Sequence, residues 1–220
     1  MNSKRIPIFP ISYFKDNIED NQYIKELLLD KIVKDSEDLP IPERWITNKL
    51  KTSFLGEKPG KEIFFGEDRS FQSILEQRYA KCLNNFFEDI DYKIIIDKIW
   101  YNCYIDGEFQ ESHDHIGHVF DSSHFSCIHF LSFDATRHKP VRFYDPSSQI
   151  RALSLELIQN NYNTLHYPDI EEGDFIMFPS YLKHSVEPSP STPDYPRITI
   201  AMNIKVLEYN GMKQFQSNYE

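Results

Sequence analysis

Long apolar runs are missing from this chain, and no stretch of its 220 residues approaches the length needed to cross a bilayer as a helix. Basic residues are outnumbered. There are 24 Lys and Arg against 34 Asp and Glu, a formal net charge of −10, which argues against a sequence-independent grip on phosphate backbones and leaves room only for a local basic groove. Cysteine is scarce: Cys82, Cys103 and Cys127 each sit in an apolar pattern without metal-type spacing, which reads as buried free thiols in a reducing compartment. The start, Met1-Asn-Ser-Lys-Arg, leads into a proline-broken segment and not into the apolar stretch of a secretory signal. We therefore expect a cytoplasmic protein with neither nucleic-acid nor membrane partners. No repeat and no low-complexity tract is present.

Aromatic residues are plentiful, 17 Phe and 13 Tyr, enough for an ordered core. Tyr23, Ile24, Leu27, Leu28, Ile32 and Val33 recur at helical spacing and predict a helix over about 20–35. A second helix is expected from Phe71 to Glu88, with Phe71, Ile74, Leu75, Tyr79, Cys82, Leu83 and Phe86 as its apolar stripe and Ser70 as its N-cap. Residues 36–70 read mostly as loop, anchored by Trp45 and Phe54. From Tyr92 onward the pattern is that of strands. Lys93 to Tyr104 alternates, with Trp100, Asn102 and Tyr104 on one side and Ile99, Tyr101 and Cys103 on the other. Further strands are expected at Phe125–Phe133, Val141–Tyr144, Thr164–Tyr167, Phe175–Phe178 and Arg197–Leu207, with helical or irregular structure over Leu153–Asn160. The Asp145-Pro146 and Gly173-Asp174 steps mark turns. Helices followed by many short strands predict a jelly-roll barrel with helical buttresses.

The chemistry-bearing residues are histidines. His113 and His115 are one residue apart, just after a glycine turn at Gly107. Alternation in an extended segment lets both imidazoles face one point. A third, His184, lies far along the chain. Three imidazoles with open positions suit Fe(II), Zn or Cu by ligand type. Arg197, at the head of the last strand, is permanently charged, and Thr199 falls on the same side of that strand.

Taken together these segments resemble the 2-oxoglutarate/Fe(II)-dependent dioxygenases, in the prolyl-hydroxylase-like branch found in marine bacteria and phages. Tyr104, Gly107 and His113 fall on the Y-x-x-G-(five residues)-H pattern of prolyl hydroxylases. Trp100-x-Asn102, Ser126-Cys-Ile-His-Phe-Leu131, Asp145-Pro146, Gly173-Asp-Phe-Ile-Met-Phe-Pro-Ser180 through His184-Ser-Val, and Arg197-x-Thr199 with Asn203 follow the branch in order.

The resemblance implies a mainly β fold with N-terminal helices and a double-stranded β-helix (jelly-roll, cupin-like) core. It also implies a helical lead-in over 1–91 packed on a core over 92–220, forming one structural domain. The implied cofactor is Fe(II), with 2-oxoglutarate as co-substrate. The reaction would be oxidative decarboxylation of 2-oxoglutarate coupled to hydroxylation of a peptide or small molecule, with peptidyl or free proline the first candidate. His113, His115 and His184 are the candidate metal ligands. Arg197, Thr199, Tyr104, Asn102, Ser126 and His129 are candidates for the co-substrate.

The family's usual carboxylate ligand is replaced by His115, so two faces stay open at this point. One is three histidines, and the other is completed by Asp114 or Asp145. Two other functions also stay open: a non-catalytic cupin-like metal-binding or structural module, and a three-histidine dioxygenase that uses no 2-oxoglutarate.

Overall fold

The alternation read in the Tyr104 segment is realised in a 13-residue strand, and that strand and the closing one form the spine of the molecule. The computed structural model describes residues 11–39, 50–55, 70–87, 92–117, 122–149 and 164–209. The elements, in chain order, are β1 (Phe14–Asn17), α1 (Asn21–Asp38), β2 (Lys51–Thr52), a 3-10 turn (Ser53–Leu55) and α2 (Ser70–Phe86). They continue with β3 (Tyr92–Tyr104), β4 (Gln110–His113), β5 (Phe125–Ser132), β6 (Val141–Tyr144), β7 (Leu165–His166), β8 (Asp174–Pro179), β9 (His184–Val186) and β10 (Arg197–Tyr209). The Trp45 anchor, the Leu153–Asn160 segment and the Ser70 and Phe71 side chains lie outside the described residues.

Among the described residues, ten strands form two antiparallel sheets. The larger has the order β1-β8-β5-β10-β3-β2 and the smaller β4-β9-β6-β7. β10 pairs along β3 with Arg197 opposite Tyr104, Thr199 opposite Asn102, Ala201 opposite Trp100 and Asn203 opposite Lys98. Because side chains alternate, these residues share the face that looks toward the smaller sheet. Ile198, Ile200, Met202 and Ile204 share the other face with Ile99, Tyr101 and Cys103, and there they meet the helices. Between the sheets a second apolar cluster joins Ile128, Phe130, Ile176 and Phe178 to Val141 and Phe143.

Both helices arise from their periodicity. α1 buries Asn21, Ile24, Leu28, Ile32 and Ser36 along one stripe. Tyr23, assigned to that stripe from spacing, is 51% exposed instead. It sits one residue before Ile24, on the flank of the stripe. α2 buries Leu75, Tyr79, Cys82 and Leu83 against the same sheet face. All three cysteines are free and buried, and burial pushes the Cys82 and Cys103 thiols up to about 12. No helix among the described residues is long and apolar enough to cross a membrane.

The chain leaves β3 through Asp106 and Gly107, both with positive φ (64° and 76°). Two consecutive left-handed residues make a tight reversal, which an Asp-Gly pair tolerates. The Glu108 carboxylate accepts the Ile105 N–H across this turn. The turn carries the backbone out of the larger sheet into β4 of the smaller one.

His129 was a co-substrate candidate, and the structure corrects that reading. On β5, Ser126, Ile128 and Phe130 face the smaller sheet, so His129 points the other way, among the helices. There the Tyr79 hydroxyl lies 3.0 Å from Nδ1 and Asn21 Oδ1 lies 2.8 Å from Nε2. Asn21 spends its own amide N–H on the Leu131 carbonyl, so its oxygen accepts from His129 Nε2–H and leaves Nδ1 to accept from Tyr79. The ring is satisfied as a neutral imidazole, and burial lowers its pKa from 6.5 to about 3.

An unfolded chain takes up this proton near pH 6.5, whereas the native one does not until about pH 3. Stability therefore falls as pH drops through that window, by roughly 1.4 kcal/mol per pH unit for the one group. Urea denaturation at pH 6, 5 and 4 should show this loss, and His129→Gln should flatten the pH slope by about one proton. An unchanged slope in the variant would mean that His129 is charged in the native state.

Candidate metal centre and anion pocket

Two of the three histidines are placed by strand pairing and the third by a loop. His113 ends β4 and is the register partner of His184 on β9. Their ring centroids are 4.3 Å apart. His115 lies two residues past the strand end, with its centroid 5.2 Å from His113 and 5.1 Å from His184. One ring nitrogen from each falls within 4.8 Å of the other two. Among the described residues this is the one His, Cys, Asp or Glu group arranged in this way.

The hydrogen bonds decide which nitrogen is free. His113 Nδ1–H donates to the Glu111 carbonyl at 2.9 Å and His184 Nδ1–H to the Leu182 carbonyl at 2.9 Å. His115 Nδ1–H donates to Asn203 Oδ1 at 2.6 Å. With each Nδ1 occupied as a donor, each Nε2 is an acceptor that a shared cation can take, at His113 in exchange for the Gln110 amide N–H, an arrangement common to metal-binding imidazoles. Burial, with the neighbouring imidazoles adding to it, holds His184 well below its ordinary pKa. Burial is also the main cause lowering His115 to about 4. Both are therefore uncharged at neutral pH, as ligation requires. Asp114 stands apart from this group: its carboxylate accepts the Ile116 N–H. Asp145 caps its own turn, accepting the Ser147 N–H.

The pocket next to the histidines is lined by Trp100, Asn102, Tyr104, Ser126, Arg197 and Thr199, with Gln110, Phe178 and Val186 completing it. Arg197 is 1% exposed. Its guanidinium carbon lies 4.5 Å from the centre of the Tyr104 ring, yet among the described residues its Nε and Nη1 have no hydrogen-bond partner, and neither does Asn102 Oδ1. No carboxylate among the described residues pairs with Arg197. Stacking on a tyrosine contributes about 0.5–2 kcal/mol, whereas a buried charge without a counterion costs several. The balance is met when an anion enters. Thr199 and Asn102 flank that position from paired strands.

Of the residues singled out from sequence, then, His113, His115, His184, Arg197, Thr199, Tyr104, Asn102 and Ser126 converge on this pocket, and His129, Asp114 and Asp145 do not join it. Gln110 was missed. Its side chain accepts from the Tyr104 hydroxyl at 3.3 Å, and its amide nitrogen lies 3.4 Å from His113 Nε2. Its spacing, three residues before His113, was the available signal. The role of Asn203 beside His115 was missed as well, although it shares the face of Arg197 and Thr199 by strand parity.

A double-stranded β-helix with three imidazoles and a buried cationic fork at its open side defines a class, and comparison with known proteins specifies it. Residues 98–203 match the sequence family described as "Putative 2OG-Fe(II) oxygenase", a span that holds every residue of the pocket. In sequence as in fold, the chain resembles the 2-oxoglutarate/Fe(II)-dependent dioxygenases. No curated protein sequence matches it.

Among solved structures, a prolyl-4-hydroxylase from Pseudomonas putida superposes with a TM-score of 0.55 at 12% identity, covering 89% of this chain and 92% of that one. A prolyl hydroxylase from Trichoplax adhaerens, solved with a hypoxia inducible factor peptide fragment, gives 0.55 at 13% identity, covering 93% and 86%. HygX from Streptomyces hygroscopicus, with nickel and 2-oxoglutarate bound, gives 0.57 at 10% identity, covering 89% and 83%. At these identities the likeness establishes the double-stranded β-helix fold. Family and fold together support an oxygenase of the 2-oxoglutarate/Fe(II) type.

Replacing Arg197 with methionine removes the uncompensated charge and keeps an unbranched side chain among Tyr104, Phe130 and Phe133. Without added anion, Arg197→Met should be more stable than the wild type, by about 1–3 kcal/mol in urea denaturation. A destabilised variant would show that another group already satisfies the guanidinium.

Proposed function

We propose that the protein is a 2-oxoglutarate/Fe(II)-dependent dioxygenase in which His113, His115 and His184 hold the iron. The single observation that carries this reading is the pairing, in one pocket, of three imidazoles that each offer a ring nitrogen to one point and a buried Arg197 whose Nε and Nη1 have no partner among the described residues. Each half alone has another explanation. Together they match a metal chelated by an oxoacid whose far carboxylate needs a charged anchor.

The residues present fit the group. Arg197 would grip the distal carboxylate bidentately, Thr199 would donate its hydroxyl to the same group, and Asn102 Oδ1 and the Tyr104 hydroxyl would line the chain of the oxoacid. Phe178, Val186 and Ile128 exclude water from that side of the pocket. When bound, Fe(II) and 2-oxoglutarate supply the oxidising power: with O2 they yield succinate, CO2 and a hydroxylated C–H bond of the second substrate. The protein's own contribution is to hold three imidazoles on one point, to fix the oxoacid by its far end, and to leave one side of the centre open.

For the second substrate, a peptide or a free amino acid such as proline is the reading favoured by the Tyr104-x-x-Gly107 pattern leading into His113. Prolyl hydroxylases among the similar folds agree with it. The reading without 2-oxoglutarate leaves Arg197 with nothing to hold, so it is disfavoured by the same observation. A metal-binding module without turnover would show the charge-transfer band described next without forming succinate.

Anaerobic addition of Fe(II) and 2-oxoglutarate should produce the weak visible metal-to-ligand charge-transfer band of the chelate, and the band should require both. His184→Ala should abolish it in a folded protein. Arg197→Ala should raise the 2-oxoglutarate concentration needed by roughly 10–100-fold, as expected for a charge-assisted contact worth about 1.4–2.7 kcal/mol, with Fe(II) binding nearly unchanged. His115→Ala should lose metal affinity while Asp114→Ala keeps it. A band surviving in His184→Ala, or lost in Asp114→Ala alone, would sink the three-histidine assignment.

A further inference from the structure

His113 and His184 face each other across a β4–β9 ladder of the smaller sheet, and their Nδ1 atoms bond to carbonyls only two residues away in their own segments. Their positions are local. His115 has no such support. Strand β4 ends at His113, so the ring of His115 is carried by a loop, and everything that fixes it comes from elsewhere. Its backbone N–H donates to the Ser180 carbonyl at 2.9 Å, just after β8. Its Nδ1–H meets Asn203 Oδ1 of β10 at 2.6 Å, with Ser126 Oγ of β5 2.9 Å away. The Ser126 hydroxyl in turn lies 3.2 Å from Asn203 Oδ1 and 3.0 Å from Ser180 Oγ. Asn203, Ser126 and Ser180 are themselves buried and come from elements of the larger sheet or its β8 end.

We propose that Asn203 is a positioning residue for the metal centre: it clamps the one loop-borne imidazole to the larger sheet and so completes a face whose other two members stand on the smaller sheet. This rests on the metal reading above. Asn203 acts through orientation. Its amide oxygen takes the Nδ1 proton, which turns Nε2 toward His113 and His184 and blocks the flipped ring. An amide oxygen does this without the negative charge that a carboxylate would place there, so His115 stays a neutral ligand. Ser126 holds Asn203 in that rotamer by donating to the same oxygen, and Ser180 holds Ser126.

Titration of purified, metal-free protein with Co(II), followed by calorimetry and by the visible ligand-field bands, tests this without any substrate or turnover. Asn203→Leu, close to isosteric but without the acceptor, should lower Co(II) affinity roughly 10–100-fold, and Asn203→Asp should restore it. In the His115→Ala background the same Asn203→Leu change should have no further effect, because the clamp would have nothing left to orient. Nitrogen-15 spectra of the metal-free protein should show the His115 Nδ1–H protected in the wild type and exchanging in Asn203→Leu.

Should Asn203→Leu not fold, Asn203→Ser carries the same expectation, since it withdraws the reach of the acceptor while keeping a polar group on the strand. Affinity unchanged in the acceptor-less variant, or a loss that persists in the His115→Ala background, would overturn the proposal. Failure of the wild type to bind Co(II) at all would overturn the metal reading itself, and the positioning role with it.

Discussion

The antiparallel register of β10 on β3 is the constraint on which the other features of the molecule hang. Arg197 opposite Tyr104, Thr199 opposite Asn102 and Ala201 opposite Trp100 give one face of the larger sheet to the pocket. Ile198, Ile200 and Met202 give the other face to the helices. A slip of one residue would exchange the two sets. It would drive a guanidinium and a hydroxyl into the apolar layer under α1 and α2, and put three apolar side chains where the oxoacid's carboxylate is proposed to sit. Neither face tolerates the exchange, so burial of the helices and construction of the site enforce the same register. The stability of the fold and the geometry of its chemistry are thus one requirement, and the 13-residue length of both strands supplies enough paired positions to meet it.

The same pairing sets up an electrostatic imbalance. The pocket face contains a buried Arg197 with unsatisfied Nε and Nη1, an acceptor on Asn102 without a donor, and imidazoles that burial keeps uncharged. A chain selected for stability alone would place apolar residues at such positions. Groups left incomplete in this way are expected where binding completes them, and natural proteins accept that loss of stability at functional sites. His129 shows the contrast a few ångströms of sheet thickness away. It too is a fully buried, uncharged histidine, but both of its nitrogens have partners, in Tyr79 and Asn21, so nothing remains to recruit a ligand.

The difference between those two kinds of histidine explains what could be read from the amino-acid sequence and what could not. The long alternating segments and the helix stripes of α1 and α2 carry a repeating signal, and the barrel followed from them, whereas the grouping of His184 and Arg197 with His113 and His115 came from the family resemblance. His129 was misplaced because a resemblance to a residue pattern outweighed parity, although counting from Ser126 puts it on the opposite face. Short edge strands such as Phe14-Lys15-Asp16-Asn17 and Lys51-Thr52 carry too few residues for alternation to register, and only the register with β8 and β3 reveals them. Gln110 left a local signal in its spacing from His113, whereas the clamp on His115 depends on a contact between residues 88 apart, which no local pattern encodes.

A neutral histidine in place of the usual carboxylate changes the charge balance of the proposed centre, and the surroundings are consistent with that change. A divalent ion held by a carboxylate and two imidazoles, together with one arginine, is neutralised by a dianionic oxoacid. With three imidazoles the same contents keep one positive charge more. The residue that holds the third imidazole is an amide, Asn203, and its neighbours Ser126 and Ser180 are hydroxyls, so the surrounding shell does not return the missing negative charge. Asp114, the nearest acid in sequence, is turned away to cap Ile116. The excess charge therefore falls on whatever anion enters. In a pocket of low polarity this strengthens the attraction for an oxoacid bound at both ends. The neutral face and the buried Arg197 act in the same direction, so in the proposed centre a preference for a doubly charged ligand would follow from what the chain omits as much as from what it supplies.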